Sequence, residues 1–166
     1  MTNKDSPSAA SRVFKPHFKE TKGARSITYC ENFFAVGNSV DGVRVFDSKM
    51  ELKFTVPRMK PYIVKFSPRE TFLIVYEIFT SSKENTENPN LFIYDTATGV
   101  EKSSFVMKRH SEWEPFFAQD ESFFALIQNS EVCFYENFVK TPLKLGGKLG
   151  GFSVSPGENF VKLFGL

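Results

Sequence analysis

Few residues in this chain are of types that perform covalent chemistry, and their spacing limits what they can do. The two histidines, His17 and His110, stand in separate polar stretches. No Ser-His-Asp or Cys-His arrangement assembles around either, so both read as surface residues. Cys30 and Cys133 lie in apolar segments without Cys-x-x-Cys spacing, which suggests neither a disulfide framework nor a zinc site and fits a reducing compartment. Four glutamates, Glu31, Glu70, Glu121 and Glu158, recur in matching text. Paired carboxylates run glycosidase chemistry, but a catalytic site is built once. A carboxylate that returns with every repeat reads instead as a turn acceptor for backbone N–H groups. The stretch Leu145-Gly146-Gly147-Lys148-Leu149-Gly150-Gly151 imitates a phosphate loop, yet Leu149 stands where a Walker loop needs Ser or Thr to hold magnesium. It reads as a flexible connection. The expectation is therefore no catalytic residue, no cofactor, no metal and no enzyme.

Binding chemistry is better represented. Basic residues cluster at connections: Arg58, Lys60 and Lys65, then Lys108, Arg109 and His110, then Lys140, Lys144 and Lys148. If those connections share one face, Arg58, Lys60, Lys65, Lys108, Arg109, Lys140, Lys144 and Lys148 are candidates for a positive surface facing RNA phosphates. The plainer alternative is ordinary solvated loop charge. Net charge does not choose between them, because 21 Lys and Arg against 19 Asp and Glu leave only +2. The single tryptophan, Trp113, stands near Pro115 at the opening of a strand and reads as packing rather than a ligand platform.

The elements that carry these residues repeat. Ile27-Thr28-Tyr29-Cys30-Glu31-Asn32-Phe33-Phe34 aligns without a gap with Phe66–Leu73, Phe117–Phe124 and Val154–Val161. Each copy is apolar, small, two turn-like positions, Glu, a short polar residue, Phe, apolar, which is a strand, a tight turn and a second strand. A third strand follows in Val43–Asp47, Leu91–Asp95 and Val132–Glu136, each ending in an aromatic residue and an acid. That pair stands where the Trp-Asp dipeptide of a WD repeat would. A weaker fourth strand is visible in Leu52–Val56 and Lys102–Val106.

Between successive glutamates the intervals are 39, 51 and 37 residues, against ~40–45 for a propeller blade. The long interval is explained by one polar insertion, Thr80–Asn90, between a second and a third strand. The fold class is thus all-β, a WD40-like β-propeller that is incomplete: three four-stranded blades and the start of a fourth. Residues 1–24 are polar and basic and read as a disordered arm. Residues 25–166 form the partial propeller, with blade 1 about 25–57, blade 2 about 61–107, blade 3 about 112–146 and the start of blade 4 about 150–166. A chain of 166 residues is too short to close such a ring, so it reads as a fragment or short isoform whose exposed blade faces favour association. With 41% hydrophobic and 16% aromatic residues, twenty of them Phe, it still suits a globular β core. Neither a signal sequence nor an apolar run of roughly 18 residues is visible, so a cytoplasmic location without a membrane is expected.

The second and third repeats resemble the amino-terminal propeller of the eukaryotic translation initiation factor 2A family. The matching text is Phe66-Ser67-Pro68, Thr80-Ser81-Ser82-Lys83 before Pro89-Asn90-Leu91, Tyr94-Asp95 and Thr98-Gly99. It continues with Trp113, Pro115, Asp120-Glu121, Glu131-Val132 and Ser155-Pro156-Gly157. The insertion that breaks the period belongs to the match, which extends over roughly Arg25 to Gly157. Set against that family, the first apolar strand before the first hairpin is replaced by the polar arm. The resemblance implies a cytosolic, ribosome-associated initiation factor that brings initiator methionyl-tRNA to the small ribosomal subunit without requiring GTP, in company with other initiation factors. Two alternatives remain: a generic WD scaffold for protein partners, and the b subunit of eukaryotic initiation factor three, whose RNA-recognition module has no counterpart here.

Overall fold

The computed structural model describes residues 23–80, 88–145, 149–158 and 161–165. The arm expected over residues 1–24 lies outside them except for its last two positions, as do residues 81–87 of the insertion and 146–148 of the glycine-rich connection.

Three meanders of four strands and one hairpin make up the described fold. The first sheet is β1 (Ala24–Tyr29), β2 (Phe33–Asn38), β3 (Gly42–Asp47) and β4 (Leu52–Val56), paired antiparallel in chain order. The second is β5 (Pro61–Phe66), β6 (Phe72–Glu77), β7 (Leu91–Asp95) and β8 (Glu101–Phe105). The third is β9 (Phe116–Phe117), β10 (Phe123–Gln128), β11 (Glu131–Glu136) and β12 (Val139–Leu145). The hairpin is β13 (Leu149–Val154) with β14 (Val161–Gly165).

The middle strands are continuous apolar runs because both faces of each sheet are covered. In the second sheet Leu73, Val75, Phe92 and Tyr94 pack with Ala35, Val43, Val45 and Val56 of the first. Their neighbours Ile74, Tyr76, Leu91 and Ile93 point the other way and pack with Phe124, Leu126, Cys133 and Tyr135 of the third. The alternation repeats one sheet on, where Ala125, Ile127, Val132 and Phe134 turn towards Phe152 of the hairpin. A strand's period of two thus sends consecutive residues into different cores, and each sheet becomes a wedge between two others. The first strands of the first two sheets lie against each other, with the Val64 N–H donating to Ser26 Oγ at 2.9 Å. Gly37 permits that approach, since a Cβ there would stand 2.8 Å from Pro61 Cγ.

Two expectations need correction. The first repeat is not a gapless copy of the others. Phe66 pairs Leu73, Phe117 pairs Phe124 and Val154 pairs Val161, but Phe34 pairs Tyr29 rather than Ile27. Cys30 and Phe33 already close the first turn, which makes it two residues tighter and leaves six residues, Ala24–Tyr29, for a first strand. The first strand of the first sheet is therefore polar and largely exposed. The shift is even, so each side chain keeps its face.

Trp113 does not open a strand either. It follows a short 3-10 turn, His110–Glu112, and β9 is only two residues long. Pro115 explains the delay, because it has no N–H to give to a ladder.

Replacing Ile93, fully buried between the second and third sheets, by Ala is expected to cost about 2–5 kcal/mol in denaturant unfolding. Ile27→Ala, at a position 56% exposed, is expected to stay within about 0.5 kcal/mol.

Candidate nucleic-acid interface

A meander puts its turns alternately at two ends. At one end lie the turns that carry the repeated glutamates; at the other lie the connections that cross from sheet to sheet, 57–60 and 106–115, with the turns between second and third strands.

At the first end the glutamates do more than cap their own turns. Glu70 Oε1 accepts the Glu31 N–H at 2.7 Å, and its Oε2 accepts the Asn32 N–H at 3.1 Å and the Asn32 side-chain amide at 3.0 Å. Glu121 accepts the Arg69 N–H at 2.7 Å, and Glu158 accepts the Gln119 N–H at 2.6 Å. Each carboxylate therefore clasps the turn of the preceding sheet. All three sit in the left-handed region, with φ of 63°, 59° and 59°, a conformation that costs an L residue about 1–2 kcal/mol. Their own N–H groups close the turn onto Ser67, Ala118 and Ser155 carbonyls. Glu31 lacks that backbone because its turn is tighter, and it supplies an N–H to Glu70 instead. Burial alone would raise the Glu70 carboxyl, but the bonds from the Asn32 side chain and the Glu31 and Asn32 backbone outweigh it and hold it below its ordinary value. These carboxylates are structural.

Two of the aromatic-acid pairs also hold turns. Asp47 Oδ1 accepts the Lys49 and Glu51 N–H groups, and Asp95 Oδ1 accepts the Thr98 N–H and hydroxyl. Cys30 is not a ready nucleophile, since burial pushes its thiol up to about 11. Cys133 is buried in the core. Among the described residues no group of three or more His, Cys, Asp and Glu could hold a metal ion. No helix there is long and apolar enough to cross a membrane.

The candidate basic residues are distributed unequally. Arg58, Lys60, Lys108 and Arg109 stand on the crossover connections and share one end of the molecule. Arg58 is engaged internally: its Nε donates to Tyr94 Oη at 2.8 Å, its Nη2 donates to Glu101 at 2.9 Å, and its guanidinium lies 3.3 Å from the Phe92 ring centre. It bolts the connection onto the second sheet. Arg109 Nη1 donates to Glu112 at 3.0 Å. Lys65 lies within β5, paired with Glu114, its Nζ 5.5 Å from the Trp113 ring centre. Lys140 sits beside the 137–138 turn, at the clasp end. Lys144 lies in β12, its side chain outside the description, and Lys148 lies outside the described residues. His17 does too.

The sequence reading missed the aromatic side chains among these charges. Trp113, Tyr76 and His110 form a column, with ring centres 5.1 and 5.7 Å apart and planes inclined by 25° and 28°. Tyr62 meets His110 edge-on at 5.2 Å. His110 Nδ1 stands 3.4 Å from the Tyr76 hydroxyl, whose phenol is raised by burial. The signal was present as aromatic residues interleaved with Arg58, Lys60, Lys108 and Arg109. At the same end a groove of ≈ 500 Å³ includes Lys108, Arg109, Glu112, Gln128, Asn129 and Ser130 in its lining. A larger groove, ≈ 710 Å³, includes Lys65, Trp113, Glu114, Phe116 and Phe152 in its lining.

Four-stranded antiparallel meanders packed face to face as successive wedges define a WD-type β-propeller, here an incomplete one. The C-terminal WD40 domain of Sif2 shares that fold at 16% identity, with a TM-score of 0.55 over 80% of this chain and 37% of that one. A solved structure described as a eukaryotic initiation factor superposes with a TM-score of 0.80 at 26% identity, covering 92% of this chain and 40% of its own. No protein-family model matches the chain. Eukaryotic translation initiation factor 2A of Drosophila melanogaster is 36% identical over 163 residues, 87% of this chain and 25% of that protein. The proteins of the same name from Schizosaccharomyces pombe and Caenorhabditis elegans are 31% and 29% identical over 82% and 84% of this chain. This propeller is accordingly similar in sequence to proteins named eukaryotic translation initiation factor 2A, and the chain spans about a quarter of the length of the curated relatives it matches.

Glu70→Gln is expected to lower stability at neutral pH by about 1 kcal/mol, read as a fall in Tm of about 2–4 °C. Because the Glu70 carboxyl is held below its ordinary value, its contribution is full above the ordinary glutamate range and is lost as pH falls through the lower folded-state value. The two proteins should therefore converge in Tm as the solution is acidified through and below the ordinary carboxylate range. An equal difference at pH 7 and pH 2 would contradict the clasp.

Proposed function

We propose that this chain is part of a cytoplasmic translation initiation factor that works at the small ribosomal subunit, with initiator methionyl-tRNA delivered without a requirement for GTP and with other initiation factors as neighbours. One observation carries the reading: 36% identity over 87% of the chain to a protein named eukaryotic translation initiation factor 2A. The chemistry of the crossover end supports a contact with RNA. Lys60, Lys108 and Arg109 stand there on connections of neighbouring sheets, and phosphates are met by such side chains with release of counterions. The catalytic machinery of an enzyme has no part in this reading. The propeller serves as a rigid platform whose loops meet the partner.

The test uses the full-length product of the gene. In gradient sedimentation of lysate it is expected to travel with small subunits, and the bound fraction is expected to fall steeply between about 50 and 200 mM salt. In filter binding, its retention of initiator methionyl-tRNA is expected to be the same with and without GTP. Absence from every ribosomal fraction at low salt would contradict a ribosomal role. Binding that appears only with GTP would contradict the delivery step.

A further inference from the structure

We propose that the His110 end of the aromatic column is a stacking site for one base of single-stranded RNA, with the strand's phosphates running over Lys108 and Arg109. This rests on the RNA-contact reading above and names the form of RNA and the ring that takes it.

The geometry is that of an unfinished stack. Trp113 is 8% exposed and closes the inner end, Tyr76 is fully buried in the middle, and His110 is exposed at the outer end. The stacking interval is already set by the protein, with rings 5.1 and 5.7 Å apart and within 28° of parallel. Tyr62, 47% exposed, braces the His110 ring edge-on at 77°. A planar base laid on the outer ring would continue a column whose lower members are buried, which reduces the ordering cost at binding.

The charges at this end argue for stacking as the main source of affinity. Arg109 is held by Glu112, and the Glu77 carboxylate accepts the Lys60 N–H at 3.1 Å, so acids temper the positive field. Phosphate attraction is correspondingly modest, and the face of a ring is what distinguishes this end. A groove of ≈ 500 Å³ at the same end, with Lys108, Arg109, Glu112, Asn129 and Ser130 in its lining, is where the backbone beyond the stacked base would lie. Bases in a duplex are already stacked on both faces and do not present a free face to His110. The site therefore selects an unpaired segment and tolerates any base.

The experiment follows the anisotropy of a fluorescein-labelled, non-self-complementary 12-nucleotide RNA titrated with the 166-residue chain at low salt. Unlabelled single-stranded and duplex forms of the same sequence serve as competitors. His110→Ala is expected to weaken binding by about 5- to 100-fold. His110→Phe, which keeps a flat ring, is expected to remain within about 3-fold of the unchanged chain. Lys108→Ala is expected to lower the slope of log affinity against log salt by about one unit. Duplex RNA should compete at least about tenfold less well than the single strand. Circular dichroism of each variant checks the fold, which an exposed ring should leave intact. If His110→Ala binds as well as the unchanged chain, or duplex competes equally, the stacking site is overturned while the phosphate-contact reading survives. If the unchanged chain binds no RNA, both fall.

Discussion

A sheet that is apolar on both faces has no stable existence alone, and this constraint organises the whole chain. Leu73 and Val75 face one core while Ile74 and Tyr76, interleaved with them on the same strand, face another. Neither set is buried unless a sheet stands on each side. Each fully covered side chain contributes about 1.5–3 kcal/mol, so the second sheet, covered by both neighbours, is where burial is most complete. Stability is then a matter of nearest-neighbour interfaces, as in other repeat architectures. The hairpin of β13 and β14 has a covered side through Phe152 and exposed Val161 and Leu163.

The glutamate clasps fix how the wedges meet. Hydrophobic contact between two sheets is indifferent to small slides and rotations, whereas a carboxylate bonded to a particular N–H is not. Glu70, Glu121 and Glu158 each reach from a turn to the preceding one, so sheet-to-sheet register is set at one end of the molecule by the same device three times. The left-handed backbone at these positions would ordinarily select Gly or Asn. A long acidic side chain stands there because the clasp outweighs the strain. With that end locked, the crossover connections at the other end are held at a fixed spacing, which is what a shared binding surface requires.

How much of this the sequence discloses follows from which interactions are local. The strand-turn-strand repeat, the aromatic-acid pairs and the insertion are written in contiguous residues, so the all-β propeller was legible. The recurrence of Glu marked it as structural, but its partner one repeat earlier was not legible, because nothing local says that a turn will be reached from outside. The first repeat misled for a related reason: Cys30-Glu31-Asn32-Phe33 fits the pattern of its relatives in letters, while Cys30 and Phe33 close two residues sooner. The basic residues were found by type and could not be sorted by type. Arg58 lies over the Phe92 ring, Lys65 within β5 is paired with Glu114, and Lys60 and Lys108 stand on crossover connections. Tyr62, Tyr76, His110 and Trp113 come from three separate stretches, and their rings meet only because β5 pairs with β6 and the 106–115 connection lies against that pair.

Local opening distinguishes a stack of wedges from a uniform globule. Hydrogen exchange of the 166-residue chain, followed by mass spectrometry of its peptides, measures it directly. Amides of β6 and β7, covered on both sides, are predicted to exchange most slowly, those of β10 and β11 next, and those of β13 and β14 fastest among the sheet strands. Equal protection across all four sheets, or a terminal hairpin as slow as the second sheet, would contradict an architecture held together by its interfaces.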